Sequence, residues 1–472
     1  MAFRRTCIRR LLYGAAFFCF IFAQITSAQT EDLAAASHQA RELMAAGRFE
    51  EAIPIYQRLV KAVPGNSGLL LNLGLAEQMA GHSQAAIPHL QAVLKLQPSS
   101  IPALSSLADA YASVNRPADA APLYRKLTAA PGAPPQIWYG LGKSYEALAA
   151  KAFTRLSEMA PQSPYVAALL ADSRLQRKQY RSAFFFYREA QAKLPKLPGI
   201  HAGLGKVYES TGHADWAATE RSAEEALDKT PCTTQSAECL YRRGDYLGAT
   251  RQHGTATPES LFWTTKSYNR LAVEAFDQLG KFPDSVEIHA VKAEILHGHG
   301  QDAGAAAEWR AALALSPGDP QLQRELAQSL FLAHRYDEAI PMLNEMVAHE
   351  NAAPDLNFML GESLWRTQKP AEAVPYLTAA LKSDPNLLPA HAALGMVYAL
   401  LNKPAEAVPH LEKALSVDDD GSLHYSLARA YQAAGDTAQA QKTMQQYQQI
   451  KQRNNEINDQ LAKEAEITAP QQ

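Results

Sequence analysis

The sequence predicts an all-α fold, a solenoid of paired helices stacked along the chain. Three observations carry that expectation. Apolar helix-like stretches end at Pro64, Pro98, Pro161, Pro195, Pro317 and Pro385, and several of these intervals are 34 residues or twice that. With Leu33 as position 1, position 8 of each unit is small: Ala40, Gly74, Ala108, Gly142, Ala171, Gly205, Ala293, Ala327, Gly361, Gly395 and Ala428. Position 20 is alanine at 52, 86, 120, 183, 217, 305, 339, 373, 407 and 440. Self-similarity at one period of this length marks a repeat array, in which each unit buries its apolar face only against its neighbours.

The chain starts with a different kind of element. Arg4, Arg5, Arg9 and Arg10 form a basic start, Leu11 to Ala23 is an apolar run, and Thr26-Ser27-Ala28 supplies small residues at a cleavage position. The run is too short to cross about 30 Å of hydrocarbon as a stable helix. Residues 1–28 are therefore expected to be a cleaved export signal, with a retained membrane tether as the alternative. No later segment reads as a membrane span, so the expected location is the periplasm or the cell exterior. Loss of residues 1–28 removes four arginines and no acid, leaving 41 basic against 48 acidic side chains. An acidic surface without basic runs points away from nucleic acid, because phosphate recognition needs clustered Lys and Arg.

Residues 29–231 form the expected N-terminal array, with units near 33, 67, 101, 135, 164 and 198. Small side chains at positions 8 and 20 let two antiparallel helices approach. Large residues at position 24 (Tyr56, Leu90, Tyr124, Tyr187, Trp309, Leu343, Leu377, Leu411) fill the space toward the next unit. Glycine near position 15 (Gly47, Gly81, Gly212, Gly300, Gly435) permits a left-handed turn between the helices. Proline near position 32 stops the second helix.

These features resemble the tetratricopeptide repeat family. Trp138-x2-Leu141-Gly142-x2-Tyr145 matches the opening helix of that family, and the resemblance covers roughly residues 33 to 450. It implies a right-handed α-α superhelical solenoid of about 11–12 helical hairpins.

Two stretches depart from the pattern. From Tyr145 to Ala160 the helical periodicity runs on without the usual turn, which shortens that unit. Lys143-Ser144-Tyr145 with Ala152-Phe153 recurs as Lys266-Ser267-Tyr268 with Ala275-Phe276, which suggests duplication of a multi-unit block. Residues 232–259 read as an irregular joint, with one degenerate helical pair between Glu238 and His253. The joint holds Cys232 and Cys239, the two cysteines left after signal removal. In an oxidising compartment they are expected to bond to each other, the alternative being two free thiols. The second array, 260–450, is followed over 451–472 by the end of a polar capping helix and a disordered tail.

Little in the chain reads as chemistry. Gly142-Lys143-Ser144 has the ending of a phosphate loop, but it lies mid-helix and lacks the earlier glycine. Ser416, Asp418, Asp420 and Gly421 resemble a calcium loop whose last acid is missing, and fit better as a turn with carboxylates at a helix start. His289, His297 and His299 read as turn histidines rather than metal ligands. Phe184-Phe185-Phe186-Tyr187 reads as buried on most sides, with an exposed partner site as the alternative. No catalytic residue, cofactor or metal site is expected.

The resemblance also places a groove. In the family, first-helix positions near 5, 9 and 12 line the concave face. Here these are Tyr139, Lys143 and Glu146; Ala168, Asp172 and Leu175; Phe358, Glu362 and Trp365; Tyr425, Arg429 and Gln432. Aromatics interspersed with charge suit an extended peptide. The expected function is a non-catalytic scaffold of the periplasm or cell envelope that binds protein or peptide partners. The alternative is an accessory subunit that positions a catalytic partner in an envelope, secretion or polysaccharide-export complex.

Overall fold

The computed structural model describes residues 32–229, 232, 234–251, 256–349, 353–464 and 466–470, so the expected export signal over residues 1–28 lies outside the described residues. Among these residues there is no strand. By contacts the chain divides into two units, each drawn from two stretches of sequence. One joins the chain up to Glu158 with Thr234–Lys281, and the other joins Met159–Thr233 with everything from Phe282 onward.

The first unit holds α1 (32–45), α2 (Phe49–Ala62), α3 (Ser67–Met79), α4 (Ser83–Leu96), α5 (Ile101–Ser113), α6 (Pro117–Thr128) and α7 (Pro135–Met159, which ends at the unit boundary). The second unit takes up α8 (Pro164–Gln176), α9 (Tyr180–Lys193), α10 (Ile200–Ser210) and α11 (Ala214–Asp228). The chain then returns to the first unit for α12 (Ala237–Arg242), α13 (Tyr246–Thr250) and α14 (Pro258–Asp277). It completes the second with α15 (Val286–Gly298), α16 (Asp302–Leu315), α17 (Pro320–Leu332), α18 (Tyr336–His349), α19 (Pro354–Arg366) and α20 (Pro370–Ser383). The last elements are α21 (Leu388–Leu400), α22 (Pro404–Ala414), α23 (Ser422–Ala434) and α24 (Thr437–Glu464). Each unit is an all-α helical-repeat solenoid in which hairpins such as α3–α4, α8–α9 and α19–α20 stack on the next pair.

The repeat residues explain the hairpins. Ala52, Ala86, Ala120, Ala183, Ala217, Ala305, Ala339, Ala373 and Ala407 are wholly buried. A leucine at position 24 covers the glycine at position 8 of its own hairpin: a Cβ on Gly74, Gly361 or Gly395 would lie 2.8, 2.7 and 2.7 Å from Leu90, Leu377 and Leu411. A tyrosine there also reaches into the next unit. Cβ atoms on Gly140 and Gly203 would meet the rings of Tyr124 and Tyr187 at 2.5 and 2.1 Å.

The turn at position 15 is left-handed in every regular unit. Gly47, Gly81, Gly212, Gly300 and Gly435 take it without strain, and Asn115, Lys178, His334, Gln368 and Asn402 adopt the same positive φ between 55° and 64°. A further regularity was not anticipated: Pro54, Pro88, Pro122, Pro341, Pro375 and Pro409 all stand at position 22, inside the second helix of a hairpin.

Histidine ties several hairpins at positions 4 and 23. His201 Nδ1 lies 2.5 Å from Glu220 and its Nε2 lies 3.1 Å from the Pro195 carbonyl. His289 Nδ1 is 2.7 Å from Glu308. His391 repeats the arrangement with Nε2 at 3.1 Å from the Pro385 carbonyl, but its Nδ1 faces His410 Nδ1 at 2.7 Å. If Nε2–H of a neutral His391 donates to Pro385, its Nδ1 accepts and His410 donates.

The irregular units obey the same packing with a non-sequential partner. α7 is one unbroken helix, as its periodicity predicts. Its missing mate is α14. A Cβ on Gly142 would lie 2.2 Å from the ring of Phe276, Tyr139 and Phe276 have ring centroids 6.4 Å apart, and Tyr145 stacks on Tyr268 at 6.0 Å. Contacts move down α14 as they move up α7, so the two helices run antiparallel. Residues 234–281 therefore belong with the start of the chain, where contiguous arrays over 29–231 and 260–450 were expected. Between them the joint does keep a short helical pair, α12–α13, and Cys232 and Cys239 are disulfide-bonded. At the C-terminus the tail after Ile467, expected to be disordered, includes a Thr468 carbonyl that accepts a 2.7 Å hydrogen bond from the Tyr208 hydroxyl.

Candidate peptide-binding groove

The groove positions divide into those that lock the fold and those that remain open. Lys143 and Glu146 pair with each other on α7 at 2.8 Å, and Tyr139 packs beside Phe276 of α14. Asp172 accepts a 2.7 Å hydrogen bond from Tyr187. Burial and that carboxylate push the Tyr187 hydroxyl well above its ordinary range. Asp109 and Tyr124 repeat this bond two repeats earlier, so an acid at position 9 facing a tyrosine at position 24 is a fold device.

The second unit presents a more open set. Phe358 meets Phe331 edge-on at 6.0 Å. Glu362 is 8% exposed and accepts from Arg366 Nε at 2.8 Å. Burial raises its carboxyl above the usual range, and Arg366 only partly opposes that shift. The Arg366 guanidinium also lies 4.1 Å from the Trp365 ring centre, which spreads a cationic plate over the indole.

Trp365, Tyr425 and Arg429 line one cleft of about 310 Å³, with Met396, Leu400 and Asn402 between them. Three successive first helices build it: α19 supplies Trp365, α21 supplies Met396 and Leu400, and α23 supplies Tyr425 and Arg429. Leu400 is 64% exposed and Tyr425 41%, so apolar surface faces solvent here. The Arg429 guanidinium lies 5.9 Å from the Tyr425 ring centre, and Tyr447 of α24 backs the same ring at 5.2 Å. Sequence reasoning missed Met396 and Ala399, although they hold positions 9 and 12 of the unit starting at 388. A search weighted toward charge and aromatics passes over them.

The remaining sequence motifs resolve as structure. Gly142-Lys143-Ser144 is mid-helix in α7. Asp418 accepts from the backbone N–H of Leu423 and His424, and Asp420 from that of Ser422, so both cap α23. Those bonds hold the Asp420 carboxyl below its usual range. His297 pairs with Asp302 at 2.6 Å while His289 pairs with Glu308. No group of three metal-ligating side chains converges among the described residues. In the aromatic run, Phe184 and Tyr187 are buried, whereas Phe185 and Phe186 are half-buried and meet edge-on at 5.2 Å. Among the described residues no helix is long and apolar enough to cross a membrane.

Family models described as tetratricopeptide repeat match residues 38–101, 105–148 and 298–357, then 330–401, 388–420 and 421–446. The chain belongs to the tetratricopeptide repeat family. Among curated proteins this tetratricopeptide protein is 27% identical, over 217 residues and 44% of its length, to BBSome complex member BBS4 of Bos taurus. It spans 41% of that relative's length. Similar solved structures include a thermophilic TPR protein of Thermus thermophilus (20% identity, 39% of this chain and 100% of that one, TM-score 0.29). Others are MamA from Desulfovibrio magneticus RS-1 (15%, 36% and 97%, 0.32) and YrrB, described as a TPR protein with an unusual peptide-binding site (20%, 38% and 91%, 0.31).

Proposed function

We propose that this chain is a non-catalytic interaction scaffold, exported to the periplasm or cell envelope, that holds an extended peptide segment of a protein partner in the cleft between α19, α21 and α23. The observation that carries the reading is the exposed apolar floor of Leu400 and Tyr425 flanked by Arg429 and Trp365. Aromatic faces supply contact area at low entropic cost, and a guanidinium at the rim selects a peptide with an acidic side chain nearby. The Cys232–Cys239 disulfide suits an oxidising compartment. Membership of a complex, printed in the name of the BBS4 relative, is in keeping with an interaction role.

The test is a fluorescence-anisotropy screen of the purified chain against acidic and basic extended peptides. Trp365→Ala and Tyr425→Ala are each expected to weaken the best peptide by about 30-fold, since aromatic anchors commonly contribute about 2 kcal/mol each. Arg429→Glu is expected to shift preference toward basic peptides. Equal binding by wild type and all three variants would place the partner site elsewhere. Capture from an envelope extract separates this reading from the accessory-subunit alternative, which predicts one enzyme as the dominant partner.

A further inference from the structure

Tyr208 stands at position 11 of its unit on α10, and its ring is wholly buried among Phe184 at 5.8 Å and Trp216 at 5.5 Å. In three other units the tyrosine hydroxyl at this position meets position 25 of the preceding hairpin: Gln91 Nε2 donates to Tyr111, Arg125 bonds Tyr145, and Tyr431 donates to the Glu412 carboxylate. The equivalent residue facing Tyr208 is Arg188, whose guanidinium has only donors and is engaged with Gln191 at 2.7 Å. The Tyr208 O–H therefore lacks the acceptor that Glu412 gives Tyr431. It donates instead to the backbone carbonyl of Thr468, 260 residues along the chain, at 2.7 Å. Glu466–Pro470 is neither helix nor turn there, with Ile467 and Pro470 partly buried, although its composition is that of a solvated tail.

We propose that Glu466–Pro470 is a built-in peptide ligand of α10, and that the surface around Tyr208 is a second docking site for an extended peptide, open only when the chain's own tail is displaced. The docking is intramolecular. A main-chain carbonyl is what the site reads through the tyrosine, so an extended segment with an apolar residue just before that carbonyl, as Ile467 precedes Thr468, can compete. This site is separate from the α19–α21–α23 cleft, and either can fail without the other.

The experiment uses the full chain with Cys7→Ser and Cys19→Ser, so that a nitroxide label goes only onto Ala469→Cys, an exposed position of the tail. A slow-motion spectrum independent of protein concentration is expected. Tyr208→Phe, which keeps the ring, should lower the ratio of docked to free tail about fivefold, the usual worth of one hydrogen bond. Ile467→Asp should release the tail. Arg188→Glu, which hands Tyr208 an acceptor as Glu412 does for Tyr431, should loosen the tail without touching it. Excess synthetic peptide covering residues 460–472 should free the label. A fast-moving label in the otherwise unaltered chain would overturn the proposal. So would an immobile fraction that grows with protein concentration, or one indifferent to Tyr208→Phe and Arg188→Glu.

Discussion

Tyr145 and Tyr268 stack on each other, 6.0 Å between ring centres and 26° between planes. Each closes a Lys-Ser-Tyr run, at 143–145 and 266–268. α7 lacks an ordinary second helix, and α14 stands in for it, with the two Lys-Ser-Tyr runs meeting at the stacked tyrosines.

That pairing makes Gly142 and Phe276 a mutually dependent couple. Phe276→Ala is expected to destabilise the first unit by about 2–4 kcal/mol through the lost contact and the void over Gly142. Gly142→Leu should destabilise by a similar amount, because even a Cβ would lie 2.2 Å from the ring. Urea unfolding followed by circular dichroism measures both. The double variant should recover part of the loss, and strict additivity would argue against the pairing.

The two partly buried histidine ties should respond to pH with opposite sign. The Glu220 carboxylate, against a smaller burial effect, holds the His201 imidazole above its ordinary 6.5. The stability it adds is complete below about 6.5 and is lost as pH rises through the higher folded value. Burial, with His391 and Lys413 adding to it, holds His410 below 6.5. Its hairpin is at full stability above about 6.5 and weakens as pH falls through the lower folded value. Hydrogen exchange of α10–α11 against α21–α22 between about pH 5 and 8 reads the two trends directly. Parallel trends would contradict the assignment.

Left-handed turns occupied by side-chain-bearing residues carry strain that glycine relieves. Gln368→Gly should raise the thermal midpoint modestly, a net gain of up to about 1 kcal/mol after the entropy that glycine adds to the unfolded chain. Gly435→Ala, at φ 87°, should destabilise by about 1 kcal/mol or more. Calorimetry of the two variants gives shifts of opposite sign if the turn is held as described.

Reduction of the Cys232–Cys239 disulfide releases a very short loop. Its closure entropy corresponds to about 2.5 kcal/mol in the chain-entropy model. The effect should concentrate on α12, because Ser236, which caps that helix by accepting from Cys239 N–H at 3.3 Å, sits inside the loop. Hydrogen exchange with and without reductant should show faster exchange over 237–250 and little change in α3–α4.

The hairpins were legible because their cause is local and periodic: an alanine at position 20 has to be small in every unit, so the requirement repeats. The pairing of α7 with α14 was not legible. Gly142 already satisfied the repeat pattern, and the recurrence of Lys-Ser-Tyr says nothing of proximity. The histidine ties escaped for a related reason: the partner at position 23 is Glu220, Glu308 or His410, so no single residue type recurs there. Of the groove residues, Trp365, Tyr425 and Arg429 do share a cleft. Asp172 and Tyr139 occupy the same groove-facing register, yet one meets a tyrosine hydroxyl and the other an aromatic neighbour, both contributed by other helices.

The late arrival of α14 sets a clock during synthesis. The bare face at Gly142 emerges long before Phe276 exists, and 123 residues separate the two stacked tyrosines. At about 5–20 residues per second the ribosome takes roughly 6–25 s to bridge that interval. Throughout it the nascent chain displays an apolar strip of α7 that its own sequence cannot yet cover, a natural foothold for a chaperone.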